Sequence, residues 1–145
     1  MKRKYWLWAL FVLYLAVLLR ITVFRSGFGS YALFSHGRLS TYPPFVWLFR
    51  TLYTDPFAFA VEFVGNLVWF IPFGFLLPML TKNRNMTILW TLALSVLIET
   101  AQFAFGVGCS DPTDLILNTA GGAMGYGLFL LLRKPSARRS RRTTP

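Results

Sequence analysis

Four runs of predominantly apolar residues, covering about residues 5–24, 60–80, 87–105 and 114–132, are each long enough to cross a bilayer. A hydrocarbon core about 30 Å thick needs about 20 residues of helix. Inside it every backbone N–H and C=O must find a partner within the protein, so runs of this kind fold as helices. At 55% hydrophobic and 18% aromatic residues, the chain of 145 is too apolar for a soluble domain, and its length accommodates one domain. The expected fold is therefore all-α: a polytopic integral membrane protein built as a bundle of four transmembrane helices.

The basic residues set the expected orientation. Lys2, Arg3 and Lys4 precede the first run, Lys82 and Arg84 lie between the second and third, and six more follow the fourth, from Arg133 to Arg142. Four spans bring these eleven to one side, which the positive-inside rule makes the cytoplasm, with both termini there. Arg20, Arg25, Arg38 and Arg50 lie toward the other side, and all five acids fall in the outer half or beyond it. Three or five spans would split the basic clusters.

Residues 1–24 read as an N-terminal signal-anchor helix. A cleaved signal peptide is the alternative, but the run is long and aromatic, and Ser26-Gly27-Phe28 is a poor cleavage site. Residues 25–59 form an outer segment rich in aromatics, glycine and proline. Within it, Phe45 to Tyr53 reads either as an amphipathic turn or two lying on the outer interface or as a loop packed over the bundle. Residues 60–132 hold the remaining three spans, and 133–145 form a basic cytoplasmic tail. Fixed to a helix end, that tail suits anionic lipid headgroups better than nucleic acid.

Polar residues recur at one level within the spans. Glu99 and Gln102, Asp114 and Asn118, and Glu62 and Asn66 are paired at spacings of three or four, close together on a helix surface. A carboxylate at the centre of a membrane helix costs roughly 2.5–3.5 kcal/mol on insertion scales, so it persists only where neighbours satisfy it. With alternating span directions, Glu99 lies roughly 9 Å below the outer end of its helix, and Asn66 and Asn118 each lie about 6 Å below their acidic partners. Asn66, Glu99, Gln102, Asp114 and Asn118 are thus expected to gather round one outward-facing pocket. The plainer alternative is hydrogen bonding between helices, and for Asp114 capping of the fourth helix. No nucleophile or metal-binding set is visible: His36 and Cys109 are each the only residue of their kind. No cofactor is implied.

Pro72 and Pro78 interrupt the second span, where a missing N–H kinks a helix and frees a carbonyl near Val68. The kink either opens the neighbouring pocket or serves packing. Gly121 and Gly125 give the fourth span a small-x-x-x-small face for close helix approach.

The order of these pieces resembles the VanZ-like family of bacterial membrane proteins. Asn66-Leu-Val-Trp-Phe-Ile-Pro72-Phe-Gly74, then Glu99-x-x-Gln102, then Asp114-Leu-Ile-Leu-Asn118-Thr-Ala-Gly121, and Gly125 carry the likeness over about residues 43–132. The resemblance implies a small four-span envelope protein without settled chemistry, whose founding type is associated with resistance to teicoplanin and little effect on vancomycin. It also implies an arginine shortly before the acidic turn, but Phe103 to Thr113 contains no basic residue. Membrane lipids are the expected partners, together with a lipoglycopeptide or an envelope lipid at the pocket. Two other readings stand beside this one: an intramembrane enzyme modifying an envelope lipid, with Glu99 as general acid or base, and a small transporter.

Overall fold

The computed structural model describes residues 2–23, 38–107 and 109–133. The cleavage-site stretch at Ser26, His36 and the basic tail from Lys134 onward lie outside the described residues. Five α-helices, α1 (Lys2–Thr22), α2 (Val46–Thr54), α3 (Pro56–Leu80), α4 (Thr87–Phe105) and α5 (Pro112–Leu132), account for most of the described chain. A 3-10 turn at Arg84–Met86 joins α3 to α4. All but α2 are long and apolar enough to cross a membrane. At 1.5 Å per residue, helices of 19 to 25 residues measure roughly 28 to 38 Å. The α3 helix starts four residues before the apolar run that announces it, because Asp55-Pro56 makes an efficient helix start. The Asp55 side chain accepts from the Ala58 amide at 2.9 Å, and Pro56 occupies the first turn, where its missing N–H costs nothing. Asp111-Pro112 repeats the device at α5, with Asp111 Oδ1 accepting from the Thr113 amide at 2.8 Å.

The centre of the bundle is the α3–α5 contact, where backbones touch. A Cβ added at Gly121 would lie 2.1 Å from the Leu67 carbonyl oxygen, and one at Gly125 2.0 Å from that of Ile71. From the other side, a Cβ on Gly74 would lie 1.8 Å from the Gly122 carbonyl oxygen. The α4 helix completes the centre with a ridge of small residues one turn apart, Thr87, Thr91 and Ser95, all fully buried. Thr91 fills the space that a side chain at Gly122 would need. The α1 helix leans on the outside of this unit. Phe11 meets Phe73 with ring centroids 5.6 Å apart, while Leu18 and Val23 pack with Phe70 and Ile98. Where Pro72 weakens the α3 ladder, the Tyr14 hydroxyl donates to the Trp69 carbonyl at 2.6 Å. The expected freed carbonyl thus has a neighbour with a partner from another helix.

Many large apolar side chains remain exposed, among them Trp6, Leu13, Trp90, Leu97 and Leu131. Contiguous apolar surface of this kind belongs in lipid.

The segment before α3 is a helix: α2 buries Leu48 and Thr51 and turns Trp47, Phe49 and Tyr53 outward. Ahead of it, residues Arg38–Leu39 (β1) pair in parallel with Cys109–Ser110 (β2), and Ser40 N donates to Ser110 O at 2.9 Å. Phe45 adopts a left-handed backbone at φ 66°, which a bulky residue holds only under constraint. Its amide donates to Thr113 Oγ1 at 2.8 Å, tying the start of α2 to the first turn of α5.

Overpacking a close helix contact costs about 1–3 kcal/mol and more where backbone must move. Gly125→Leu is therefore expected to lower the thermal unfolding midpoint in detergent sharply, while Gly127→Ala, with nothing within 4 Å of the added carbon, leaves it unchanged or slightly raised.

Candidate functional site

A cavity of about 1050 Å³ opens at the end of the bundle where α3 and α5 begin and α1 and α4 finish. Positions 58, 61, 62, 65, 66 and 69 of α3 form one wall, following the 3.6-residue period along a single face. Gly65 widens that wall: a Cβ there would meet only the Trp69 ring, at 4.0 Å. The α5 wall holds Asp114 and the capping Asp111, α4 contributes Gln102, and α1 contributes Arg20 and Thr22. Residues Leu39 to Tyr42 and Trp47 border the remaining side. Tyr42 stacks on Trp47 with centroids 6.0 Å apart, and the Arg50 guanidinium lies 5.6 Å from the Tyr42 ring centroid.

The hydrogen bonds show how this wall is held. Asn66 Nδ2 donates to Asp114 Oδ1, crossing from α3 to α5 one to two turns above the glycine contact. Asp114 does not cap its helix through its side chain, since Asp111 does that. It is free to face α3 instead. Gln102 Nε2 donates to the Thr22 carbonyl at 3.2 Å, which anchors the end of α1, and Gln102 Oε1 is buried with no partner among the described residues.

The expectation of one pocket shared by five polar residues divides in the structure. Asn66, Gln102 and Asp114 line the large cavity together with Glu62, whereas Glu99 and Asn118 do not. Residues three apart on a helix differ by about 60° in direction, enough for Glu99 and Gln102 to straddle the ridge between two neighbours. Gln102 turns toward α1 and the cavity. Glu99 turns toward the α4–α5 connection, where Oε2 accepts from the Asp111 amide at 3.1 Å and its backbone carbonyl accepts from Ser110 Oγ at 2.8 Å. Glu99 also borders a separate, mainly apolar groove of about 350 Å³ with Val96, Phe103 and Leu115. Asn118 lies a turn below Asp114, where the α4 ridge covers it: its Nδ2 donates to Ser95 Oγ at 2.9 Å, and the residue is buried. Pro72, Gly74, Gly121 and Gly125 are packing residues beneath the cavity rather than part of its wall.

Three lining residues escape a reading by polar pairs. Arg20 stands at the end of an otherwise uncharged run and reads as a side chain reaching for the surface, yet it borders the same cavity as Asp111 and Asp114. A guanidinium therefore reaches this cavity from α1, although the stretch before the acidic turn carries none. Trp69 and Tyr42 are indistinguishable by sequence from lipid-facing and interfacial aromatics. For Arg20 the available signal is its position, two residues from a helix end on the side where basic residues are scarce.

Comparison with known proteins gives a consistent match. The family model described as VanZ/LLP1 matches residues 11–133, so the likeness extends into α1 from Phe11 onward. Protein VanZ of Enterococcus faecium is 32% identical over 130 residues, spanning 86% of this chain and 74% of that protein. No solved structure matches the chain.

Ser95→Ala should strand the buried Asn118 amide and lower stability by about 1–3 kcal/mol, read by thermal unfolding in detergent, because an unsatisfied buried donor keeps its full desolvation cost. Glu99→Gln, which retains an acceptor for the Asp111 amide, is expected to lose less than Glu99→Ala.

Proposed function

Because the chain belongs to the VanZ/LLP1 family, we propose that it is a four-pass protein of the bacterial cell envelope that lowers susceptibility to teicoplanin-class lipoglycopeptides. It does so by binding or affecting a lipid at its polar cavity, without changing that lipid's chemistry. The observation that carries this reading is the cavity itself: about 1050 Å³, bordered by Glu62, Asn66, Gln102 and Asp114 at one end of a helical unit whose sides are apolar. A space with polar groups at its base and aromatic rings at its margin suits a molecule with a charged head and an apolar tail.

Charge placement supports an outward-facing cavity. Lys4, the Lys82–Arg84 turn and Arg133 stand at the helix ends opposite the cavity, on the side from which the arginine-rich tail continues. With both termini in the cytoplasm, the cavity faces the exterior, where a lipoglycopeptide acts. The tail then meets anionic headgroups of the inner leaflet, at about 1 kcal/mol per basic residue.

Expression in a susceptible bacterium is expected to raise the teicoplanin concentration needed for inhibition and to change vancomycin susceptibility little. Gly65→Leu fills the cavity without touching the α3–α5 contact, so it should abolish that effect at unchanged protein level. Mass spectra of the envelope lipids should be the same with and without the chain, and a new lipid mass would favour the enzymatic reading with Glu99. A wild-type chain with no drug phenotype, or a reporter fused after Pro145 that proves extracellular, sinks the proposal.

A further inference from the structure

The charges around the cavity are unevenly divided. Among the described lining residues, Glu62, Asp111 and Asp114 stand on the α3–α5 side and Arg20 on the α1 side, three carboxyl groups to one guanidinium. The margin adds electron-rich rings: Tyr42 and Trp47 lie stacked, and Tyr42 already carries the Arg50 guanidinium near its face. Gln102 Oε1 contributes a buried acceptor that no donor among the described residues reaches. Carboxylates, an unpartnered amide oxygen and aromatic faces all select a cationic N–H donor. Among the described lining residues an anion entering the same space would meet three acids and the Arg20 guanidinium, with Arg50 held at the margin over Tyr42.

We infer that the cavity takes a phospholipid whose headgroup carries a primary ammonium, the amine facing Glu62 and Asp114 and the phosphate facing Arg20. This rests on the reading of the cavity as a lipid site and adds the headgroup chemistry. Arg20 favours a zwitterion over a simple amine, because a guanidinium recognises phosphate and would repel an isolated ammonium. The apolar lining from Ile21 and Val61 leaves room for the glycerol end of a lipid lying between α1 and α3.

The test uses the full chain, purified in detergent, stripped of lipid and offered an equimolar mixture of phosphatidylethanolamine and phosphatidylglycerol, with retained lipid counted by native mass spectrometry. Wild type should retain phosphatidylethanolamine roughly tenfold better, the scale of one well-placed charged hydrogen bond. Glu62→Gln and Asp114→Asn should each reduce that preference several-fold. Glu62 is exposed, so its replacement is expected to disturb the fold less than Asp114→Asn. Soluble ethanolamine should compete poorly. Equal retention of the two lipids, or a preference unmoved by both variants, overturns the inference. Full competition by ethanolamine overturns its lipid part and leaves a free amine as the ligand. A teicoplanin phenotype without headgroup preference fails this inference alone, whereas headgroup preference without a phenotype fails only the resistance reading.

Discussion

Backbone contact between α3 and α5 sets the position of nearly everything else in this protein. Two membrane helices gain no hydrophobic driving force from meeting in lipid, so their association depends on close packing and on hydrogen bonds. Glycine at 74, 121 and 125 brings the axes near enough for carbonyl oxygens of one helix to occupy the place of side chains on the other. Once that distance is fixed, Asn66 and Asp114 meet across the same interface, one to two turns higher. The two Asp-Pro starts come to the same end of the bundle, bringing Asp111 to the cavity wall.

The cavity exists because the packing is uneven. Near its middle the bundle is filled by Phe70, Phe73, Ile98 and the Thr87–Thr91–Ser95 ridge. Toward the end where α3 and α5 begin, the facing residues become smaller or polar, and α1 runs out at Thr22. Gly65 removes one more side chain. What holds this open end is polar: the Gln102–Thr22 bond on one side, the Phe45–Thr113 bond and the short β1–β2 pairing on the other. Apolar contact keeps the helices together below, and directional bonds shape the mouth above.

Much of the helical frame was legible because membrane helices obey simple rules of length and composition. Three of the four anticipated runs match their helices to within three residues at each end. The α3 start was missed because alternating small and aromatic residues around Phe57 and Phe59 do not signal a span, whereas the Asp55 cap and Pro56 do signal a helix. The small-residue face of α5 was legible as a face, but the α3 backbone at Leu67 and Ile71 that it meets was not. The site was legible by residue type and only partly by arrangement. Asn66, Gln102 and Asp114 do share a cavity, while Glu99 and Asn118 serve the α4–α5 connection and the core.

The sequence alone determined that there are four apolar helices, where their polar residues fall in depth, and which face of α5 is small enough for close approach. These follow from period, length and side-chain size, each a local property of the chain. Only the tertiary structure decided which helix faces which, and so whether a given polar residue borders open space or is covered. Rotation about a helix axis is set by partners distant in sequence, and a turn of about 60° separates Gln102 at the cavity from Glu99 behind it. For the same reason Arg20, unremarkable at the end of its own helix, borders the same cavity as three acids supplied by two others.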